Sequence, residues 1–181
     1  CVDPVHIDLC GGVRPGVKEG WGAGPGVPFA IEMQRLTGIP QGVIACGHGG
    51  TLMSQWSPTL KDKGGKSLYG ALCRRVARNG GRVAGLIWYQ GESDAGPELA
   101  TVYGDKMVSF VKALRKDMGD PRLPVAMVQI GRVTNWGAVE PWNAIQDEQR
   151  RLPDRISNLT VVPAIDLPMD DGIHVSGEGH V

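Results

Sequence analysis

The chain has 181 residues, of which 41% are hydrophobic and 21% are charged, and these proportions are ordinary for one globular domain with a substantial core. Its 19 basic and 19 acidic side chains give a formal net charge of zero, and no basic stripe or polybasic run points to nucleic acid or a membrane surface as a partner. No apolar stretch approaches the roughly 20 residues that span a bilayer. The expected partner is a neutral small molecule or a glycan.

The ends of the chain and its cysteines say less about the fold and function than the composition does. The chain starts at Cys1 and stops directly after a Gly-Glu-Gly-His run typical of a helix entry, so we expect one domain over residues 1–181, truncated at both ends. The cysteines lack Cys-x-x-Cys spacing and are too few for a disulfide scaffold. Cys46 and Cys73 lie in apolar runs and are expected to be buried thiols, whereas Cys1 and Cys10 could form a disulfide.

The predicted elements alternate between helices and strands along the chain. Residues 28–36 place their apolar side chains on one helical face, and Gly38 would end that helix by adopting a positive φ. The continuous apolar run 42–46 then predicts a short strand. The remaining elements are helices over 67–79, 101–118 and 142–152, and strands over 83–89, 124–130 and 159–164.

This alternation predicts right-handed βαβ units and a parallel sheet with helices on both faces, a three-layer α/β fold. The strand over 83–89 is apolar throughout, as is typical of strands covered on both faces. In such sheets, ligands bind at the carboxyl ends of the strands. The polar residues that directly follow predicted strands are therefore the candidates for a functional site.

The first polar cluster is Gly47-His48-Gly49-Gly50-Thr51, which we call the Gly49 loop. Its glycine pair lets the backbone turn sharply and bring N–H groups close to a ligand, which suits an oxyanion hole or a phosphate cradle. A tight strand-to-helix turn would explain the same residues. By itself this cluster does not decide the function.

The second cluster, residues 88–93, follows the strongest predicted strand. Gln90 could donate its amide N–H to a developing oxyanion, which a carboxylate cannot do. Glu92 is expected to organise the loop by accepting hydrogen bonds from backbone N–H groups. Ser93 is not part of a Gly-x-Ser-x-Gly elbow, and beside Asp94 it is expected to be a turn or cap residue.

The third cluster contains Asp171 and His174, which follow the last predicted strand and precede a helix-like start at 176–179. Three residues apart in a loop, the carboxylate can bond one imidazole nitrogen and leave the other facing the cleft, as in Ser-His-Asp hydrolases. Zinc is the competing chemistry, but His174 and His180 have no HExxH or CxxC motif beside them. Neither a metal nor another cofactor is expected.

Together the three clusters resemble the SGNH-like carbohydrate acetylesterases, the group of sialate O-acetylesterases and acetylxylan esterases known as carbohydrate esterase family six. The resembling runs are 47–58, 85–95 and 170–179, and the resemblance extends over nearly the whole chain. It implies a flavodoxin-like parallel sheet and removal of O-acetyl groups from a sugar or polysaccharide without a cofactor. Three tryptophans near the clusters could contact the sugar, although packing is their commoner role: Trp56, Trp88 and Trp136.

The resemblance also implies a role for each site residue. His174 would be the general base and Asp171 would orient it. The backbone N–H of Gly49 and the side chain of Gln90 would form the oxyanion hole. Two further side chains would support these groups without touching the substrate: Glu92 and His48.

The nucleophilic serine is where the chain departs from the family. Members carry it in a Gly-Gln-Ser-Asn type motif after the first strand, which is central to the sheet, and this chain has no such motif. Ser54, three residues beyond the Gly49 loop, would be a poor substitute. We therefore expect an N-terminal segment of the same protein to supply the strand and the serine, because without that strand the sheet would expose unpaired edges.

Two other interpretations stay open at the level of sequence. A catalytically inactive glycan-binding module would keep the cleft and explain the missing serine motif, but it has no evident need for an oriented base. A phosphate-binding flavodoxin-like domain would use the turn at Gly49 and Gly50. It leaves Gln90, Asp171 and His174 without a function.

Overall fold

A computed structural model of the chain describes residues 24–134 and 137–180. Cys1 and Cys10, which could form a disulfide, and Trp136 lie outside these residues. The α-helices are α1 (Gly26–Thr37), α2 (Leu68–Arg78), α3 (Pro97–Met118) and α4 (Val139–Arg155). The strands are β1 (Leu86–Tyr89), β2 (Val125–Gln129) and β3 (Leu159–Pro163). Short 3-10 segments occupy Met53–Trp56, Pro58–Lys66, Glu92–Asp94 and Glu178–His180.

The three strands form one parallel sheet in the order β1-β2-β3, which confirms the predicted α/β class. Trp88, Met127 and Val161 are register partners across the sheet and so share one face. Trp88 and Met127 are buried on that face. The opposite face is less covered by the described residues, since Val128 is only partly buried and Val162 is exposed.

An aromatic cluster fills the core between the sheet, α2 and α3. The ring centroids of Trp56 and Trp88 lie 5.2 Å apart in an edge-to-face arrangement. The ring centroid of Phe110 lies 4.7 Å from that of Trp88. Tyr69 of α2 reaches the same Phe110 ring at 5.8 Å. Such pairs add to the stabilisation from apolar burial. The cluster fixes the 3-10 segment Met53–Trp56, and with it the Gly49 loop just before, beside the carboxyl end of β1.

The four predicted helices are confirmed, and three of them, α1, α3 and α4, are longer than predicted. α2 begins after Ser67, whose hydroxyl accepts a hydrogen bond from the Gly70 N–H at 3.1 Å, as N-cap residues do. α3 starts at Pro97, a favourable first position because proline lacks the N–H that a helix start leaves unbonded. It ends before Gly119, which has a φ of 69°. In α4, Pro153 lies in the last turns.

The strand predicted over 42–46 is wrong, because these residues adopt neither strand nor helix. Val43 is half exposed, and Ile44 and Cys46 are partly buried. An apolar run indicates burial, but a strand also needs a hydrogen-bonded neighbour, and the sheet of the described residues ends at β1. Cys46 and Cys73 are partly exposed rather than buried.

Helix α1 is a second element whose sequence pattern does not predict its packing. Its bounds are close to those predicted, and Gly38 ends it with a φ of 71°. None of its side chains is buried among the described residues, and Phe29 and Leu36 of its apolar face are exposed. Periodicity therefore identified the helix but not what covers it.

Candidate active site

The polar clusters that follow β1 and β3 lie at the carboxyl edge of the sheet, and hydrogen bonds tie the surrounding loops together. Gln90, directly after β1, donates its side-chain Nε2–H to the backbone oxygen of Thr51 at 2.8 Å, which attaches the Gly49 loop to β1. Thr134, in the loop after β2, donates its backbone N–H to Gly172 at 3.0 Å. This is the edge at which parallel α/β sheets bind ligands.

The Asp171–His174 pair has the geometry of an oriented base. The Nδ1 of His174 lies 2.7 Å from Oδ2 of Asp171. The other carboxylate oxygen, Oδ1, accepts the backbone N–H groups of Ile173 and His174, each at 2.8 Å. These backbone bonds, together with the imidazole, lower the pKa of Asp171 to about 2. Asp171 is therefore a fixed anion at neutral pH, and it engages Nδ1 so that Nε2 is the imidazole nitrogen left for chemistry.

The pair lies on a small closed loop, residues 168–176, which we call the dyad loop. Met169 and Val175 form an isolated antiparallel bridge at its base. The backbone N–H of Ser176 donates to Pro168 at 2.8 Å, next to that bridge. The dyad side chains remain open to solvent, with 66% of His174 and 54% of Asp171 exposed.

The structure gives Gln90 a different set of bonds from the one that the sequence suggested. Besides its bond to Thr51, the same Nε2 donates to Oδ2 of Asp94 at 2.7 Å, so both amide hydrogens are already used. A flipped amide would place Oε1 against two acceptors, which fixes the orientation. Gln90 therefore has no amide hydrogen left over for an oxyanion in this arrangement.

Asp94 is a site residue that sequence reasoning missed. Its side chain is fully buried, and Oδ2 accepts the backbone N–H of Met53 at 2.8 Å as well as the amide of Gln90. Burial raises the pKa of Asp94, and these two hydrogen bonds oppose the rise. Asp94 thus attaches the 3-10 segment behind the Gly49 loop to the end of β1. No sequence signal distinguishes it from an ordinary turn aspartate.

Gln149 of α4 is the second missed residue, and it is also fully buried. Its Nε2 donates to the Gln90 backbone oxygen at 2.9 Å, and its Oε1 accepts the Ile130 N–H at 2.9 Å. It therefore joins the ends of β1 and β2. Tyr103 of α3 donates its hydroxyl to the same Gln90 oxygen at 3.0 Å. The available signal was a glutamine on the apolar stripe of α4, since Trp142 lies seven residues earlier on it.

Gly91 lets these groups pack closely. A Cβ at this position would lie 2.8 Å from Nε2 of Gln149 and 2.9 Å from Cγ2 of Ile130, closer than real contacts allow. The loop after β1 can therefore approach α4 only with glycine here. This is a packing requirement that the sequence pattern does not display.

The Gly49 loop is held from its buried side. The Thr51 hydroxyl donates to the backbone oxygen of His48 at 3.0 Å and accepts Nε1–H of Trp56 at 3.0 Å. Gly50 turns the chain with a φ of 67°, a conformation that favours glycine. Gly49 is exposed, and no atom lies within 4 Å of where its Cβ would be. The His48 side chain is partly buried.

Glu92 lies in the 3-10 turn after β1, as the loop residue that the sequence suggested. Burial raises the pKa of its carboxyl, while the backbone N–H groups of Gly91 and Glu92 and the charge of His174 lower it. Glu92 is a partly buried residue of this loop. The supporting role that the sequence predicts for Glu92 stays a prediction.

No serine hydroxyl in 24–134 or 137–180 is hydrogen-bonded to His174. Ser54 is exposed, and Ser93 lies in the 3-10 turn with Glu92. In the same ranges, no group of three or more His, Cys, Asp or Glu side chains is arranged to hold a metal ion. None of the helices described is both long and apolar enough to cross a bilayer.

A groove of about 610 Å³ lies at the opposite edge of the sheet, away from these clusters. Its lining includes Gly119 and Pro121, which precede β2, and Ile156 and Ser157, which precede β3. The described lining of this groove contains no histidine and no carboxylate, whereas the polar clusters contain both. The candidate active site is therefore the open surface between the Gly49 loop and the dyad loop.

Comparison with known proteins gives a consistent result. A family profile described as "Carbohydrate esterase, sialic acid-specific acetylesterase" matches residues 2–181. A probable carbohydrate esterase of Arabidopsis thaliana is 29% identical over an alignment of 187 positions. The alignment covers 99% of this chain and 65% of that protein. Its crystal structure matches with a TM-score of 0.77 over 98% of this chain and 68% of its own.

A carbohydrate acetylesterase of Xanthomonas citri, 22% identical, shares the fold with a TM-score of 0.76. The match covers 96% of this chain and 44% of the bacterial one. The chain spans 65% of the length of the curated plant relative, so a substantial part of that relative has no counterpart in it.

Proposed function

The chain belongs to the carbohydrate esterase family described as sialic acid-specific acetylesterases, and from this premise we propose that it hydrolyses O-acetyl esters of sugars or polysaccharides. The observation that carries the proposal is the Asp171–His174 pair, with its 2.7 Å contact at the carboxyl edge of the sheet. The acetylated carbohydrate would be of the acetylxylan or sialate type, and the neutral net charge of the chain suits either.

The dyad would act by moving one proton. Nε2 of His174 takes the proton of a serine hydroxyl as its oxygen attacks the acetyl carbonyl, and Asp171 stabilises the imidazolium that forms. The proton then passes to the departing sugar hydroxyl, which leaves an acetyl-serine. Water hydrolyses this ester with His174 again as the base. The chemistry requires no cofactor.

The oxyanion that forms during the attack needs donors. We assign the backbone N–H of Gly49, which bonds to no described residue and lies on the exposed side of its loop. The N–H of the nucleophilic serine would be a further donor. Gln90 can contribute only by releasing Thr51 or Asp94, so its first task is to hold the Gly49 loop.

The nucleophile would come from an N-terminal segment of the same protein. Two observations support this part of the proposal: His174 has no serine partner among the described residues, and 35% of the plant relative, 100% minus the 65% matched, lies outside the match. Such a segment would also contribute a strand to the sheet. Glu92 and His48 would support the site without touching the substrate.

A glycan-binding module without activity is the second candidate, and the missing serine partner of His174 favours it. The two candidates differ in one chemical property, because only an activated serine reacts with a fluorophosphonate. Such labelling of the full-length protein, followed by peptide mass spectrometry, tests this directly.

The decisive experiment combines that labelling with acetate release by the full-length protein. The substrates are p-nitrophenyl acetate, acetylated xylan and O-acetylated sialic acid. Labelling of one serine together with acetate release supports the esterase, and the relative rates on the two glycans identify the substrate class. Binding of either glycan without labelling or acetate release would refute the esterase proposal in favour of the binding module.

A further inference from the structure

We propose that Thr51 and Trp56 are positioning residues that orient the Gly49 N–H toward the oxyanion. The proposal rests on the proposed esterase function and extends it to two side chains that do not touch the substrate. It comes from one chain of hydrogen bonds, which runs from the Trp56 indole through the Thr51 hydroxyl to the His48 carbonyl.

The Thr51 hydroxyl uses both of its hydrogen-bonding functions inside the protein. It accepts Nε1–H of Trp56 at 3.0 Å and donates its own hydrogen to the His48 oxygen at 3.0 Å. The side chains of Thr51 and Trp56 are buried. The direction of the two bonds is settled, since an indole N–H can only donate and a carbonyl can only accept. The carbonyl of His48 is therefore held toward the interior.

The direction of that carbonyl sets the direction of the neighbouring N–H. The His48 oxygen and the Gly49 N–H belong to one peptide unit, and the chain has no cis peptide bond among its described residues. In a planar trans peptide the C=O and N–H vectors point in opposite directions. Holding the carbonyl against Thr51 thus turns the Gly49 N–H away from the interior, to the side where Gly49 is exposed.

Further contacts make this arrangement rigid. The Trp56 ring packs edge to face on Trp88 of β1, with the ring centroids 5.2 Å apart. The donor that starts this chain of hydrogen bonds, which we call the relay, is therefore attached to the sheet. The backbone oxygen of Thr51 is held by Gln90 at 2.8 Å. An oxyanion donor gives its full effect only if it is oriented before charge develops. The relay supplies that orientation.

The expected signature is a loss of kcat with little change in KM. The relay fixes a donor that acts on the charge of the transition state and does not bind the sugar, so ground-state binding should be spared. Complete loss of an oxyanion donor typically lowers turnover about 10²–10³-fold. A donor that is present but poorly oriented should lose less, and we expect a fall of roughly 10–100-fold.

The test is a comparison of Thr51→Val and Thr51→Ser in the full-length protein, with p-nitrophenyl acetate as substrate. Valine keeps the shape but removes the hydroxyl, and serine keeps the hydroxyl. We expect Thr51→Val to lower kcat roughly 10–100-fold with KM within about twofold, and Thr51→Ser to stay within about threefold of wild type. Circular dichroism at the assay temperature establishes that each variant is folded.

Equal kcat values for wild type and Thr51→Val would overturn the proposal, and so would equal losses in the valine and serine variants. If Thr51→Val does not fold, Trp56→Phe carries the test, because it removes the indole N–H and keeps an aromatic ring, smaller than indole, in the core. An unchanged kcat there would also overturn the proposal. A wild-type protein that labels with fluorophosphonate but is indifferent to these variants refutes the relay alone. A wild-type protein without labelling or hydrolysis refutes the esterase function, and the relay with it.

Discussion

The two halves of the candidate site are built in opposite ways. The dyad side chains are open to solvent, and among the described residues the Asp171 carboxylate makes its hydrogen bonds only two or three positions ahead. The other half is a network of buried polar residues: Gln90, Asp94, Gln149, Tyr103 and Thr51. Its bonds join residues as far as 59 positions apart in sequence. One half thus depends on local chain geometry, and the other depends on the assembled fold.

The exposed dyad carries the groups that could transfer a proton, and the buried network supports the loops around them. An exposed imidazole is accessible to a substrate and to a nucleophile, and its removal leaves the core intact. A buried network fixes loops because a buried polar group is costly to leave unpaired. Substitutions of the exposed dyad side chains should therefore change the rate more than the stability, and substitutions in the network should lower stability as well as rate.

The largest expected effect is that of His174→Ala in the full-length protein. Without its base the enzyme should hydrolyse p-nitrophenyl acetate at least about 10³-fold more slowly. Because the side chain is 66% exposed, the free energy of unfolding should stay within about 0.5 kcal/mol of wild type. Steady-state kinetics and urea denaturation measure the two quantities.

His180→Ala is the matched control for that variant. The His180 ring packs against Tyr89 at 5.9 Å and has no hydrogen-bonded carboxylate among the described residues. Its removal should change kcat by less than about tenfold. Near-normal activity of His174→Ala, or an equal loss in both variants, would contradict the assignment of His174 as the base.

The next effect in size is on stability, in Gln149→Leu. Leucine has a similar volume but leaves the buried Ile130 N–H without its acceptor, at a cost of about 1–3 kcal/mol. The control is Asn143→Leu at an exposed position of the same helix, which should change the free energy of unfolding by no more than about 0.5 kcal/mol. Urea denaturation compares the two, and equal effects would show that Gln149 is not part of a supporting network.

The smallest expected effect concerns the ionisation of Asp171. Its folded-state pKa of about 2 lies below the roughly 3.9 of an unfolded aspartate. The carboxylate therefore stabilises the loop fully above about pH 4, and this contribution is lost as the pH falls through about 2. NMR of the carboxyl carbon should find Asp171 largely ionised at pH 3, and a midpoint near 3.9 would contradict the geometry.

His174→Ala sharpens the same measurement. Alanine removes the imidazole but keeps both backbone N–H groups that bond to Asp171. The midpoint should rise and yet stay below about 3.9. A midpoint unaffected by the substitution would mean that the imidazole does not interact with the carboxylate.

Much of the fold was predictable because its signals are local. The apolar spacing in α3, including Met107 and Phe110, and the capping residues Ser67 and Gly119 each act within a few residues of themselves. The three strands of the sheet were predicted for the same reason. The run 42–46 was predicted wrongly, because whether an apolar segment forms a strand depends on a neighbour that its own residues do not specify.

By itself the sequence determined the α/β alternation, the parallel sheet and the positions of the second and third polar clusters, and it predicted the pairing of Asp171 with His174, whose geometry is set within four residues. Only the tertiary structure decided that the hydrogens of Gln90 are used within the protein, and that Asp94 and Gln149 join the loops around it. A hydrogen bond between residues 59 positions apart leaves no periodicity or spacing in the chain, since it exists only once the core has brought its two partners together.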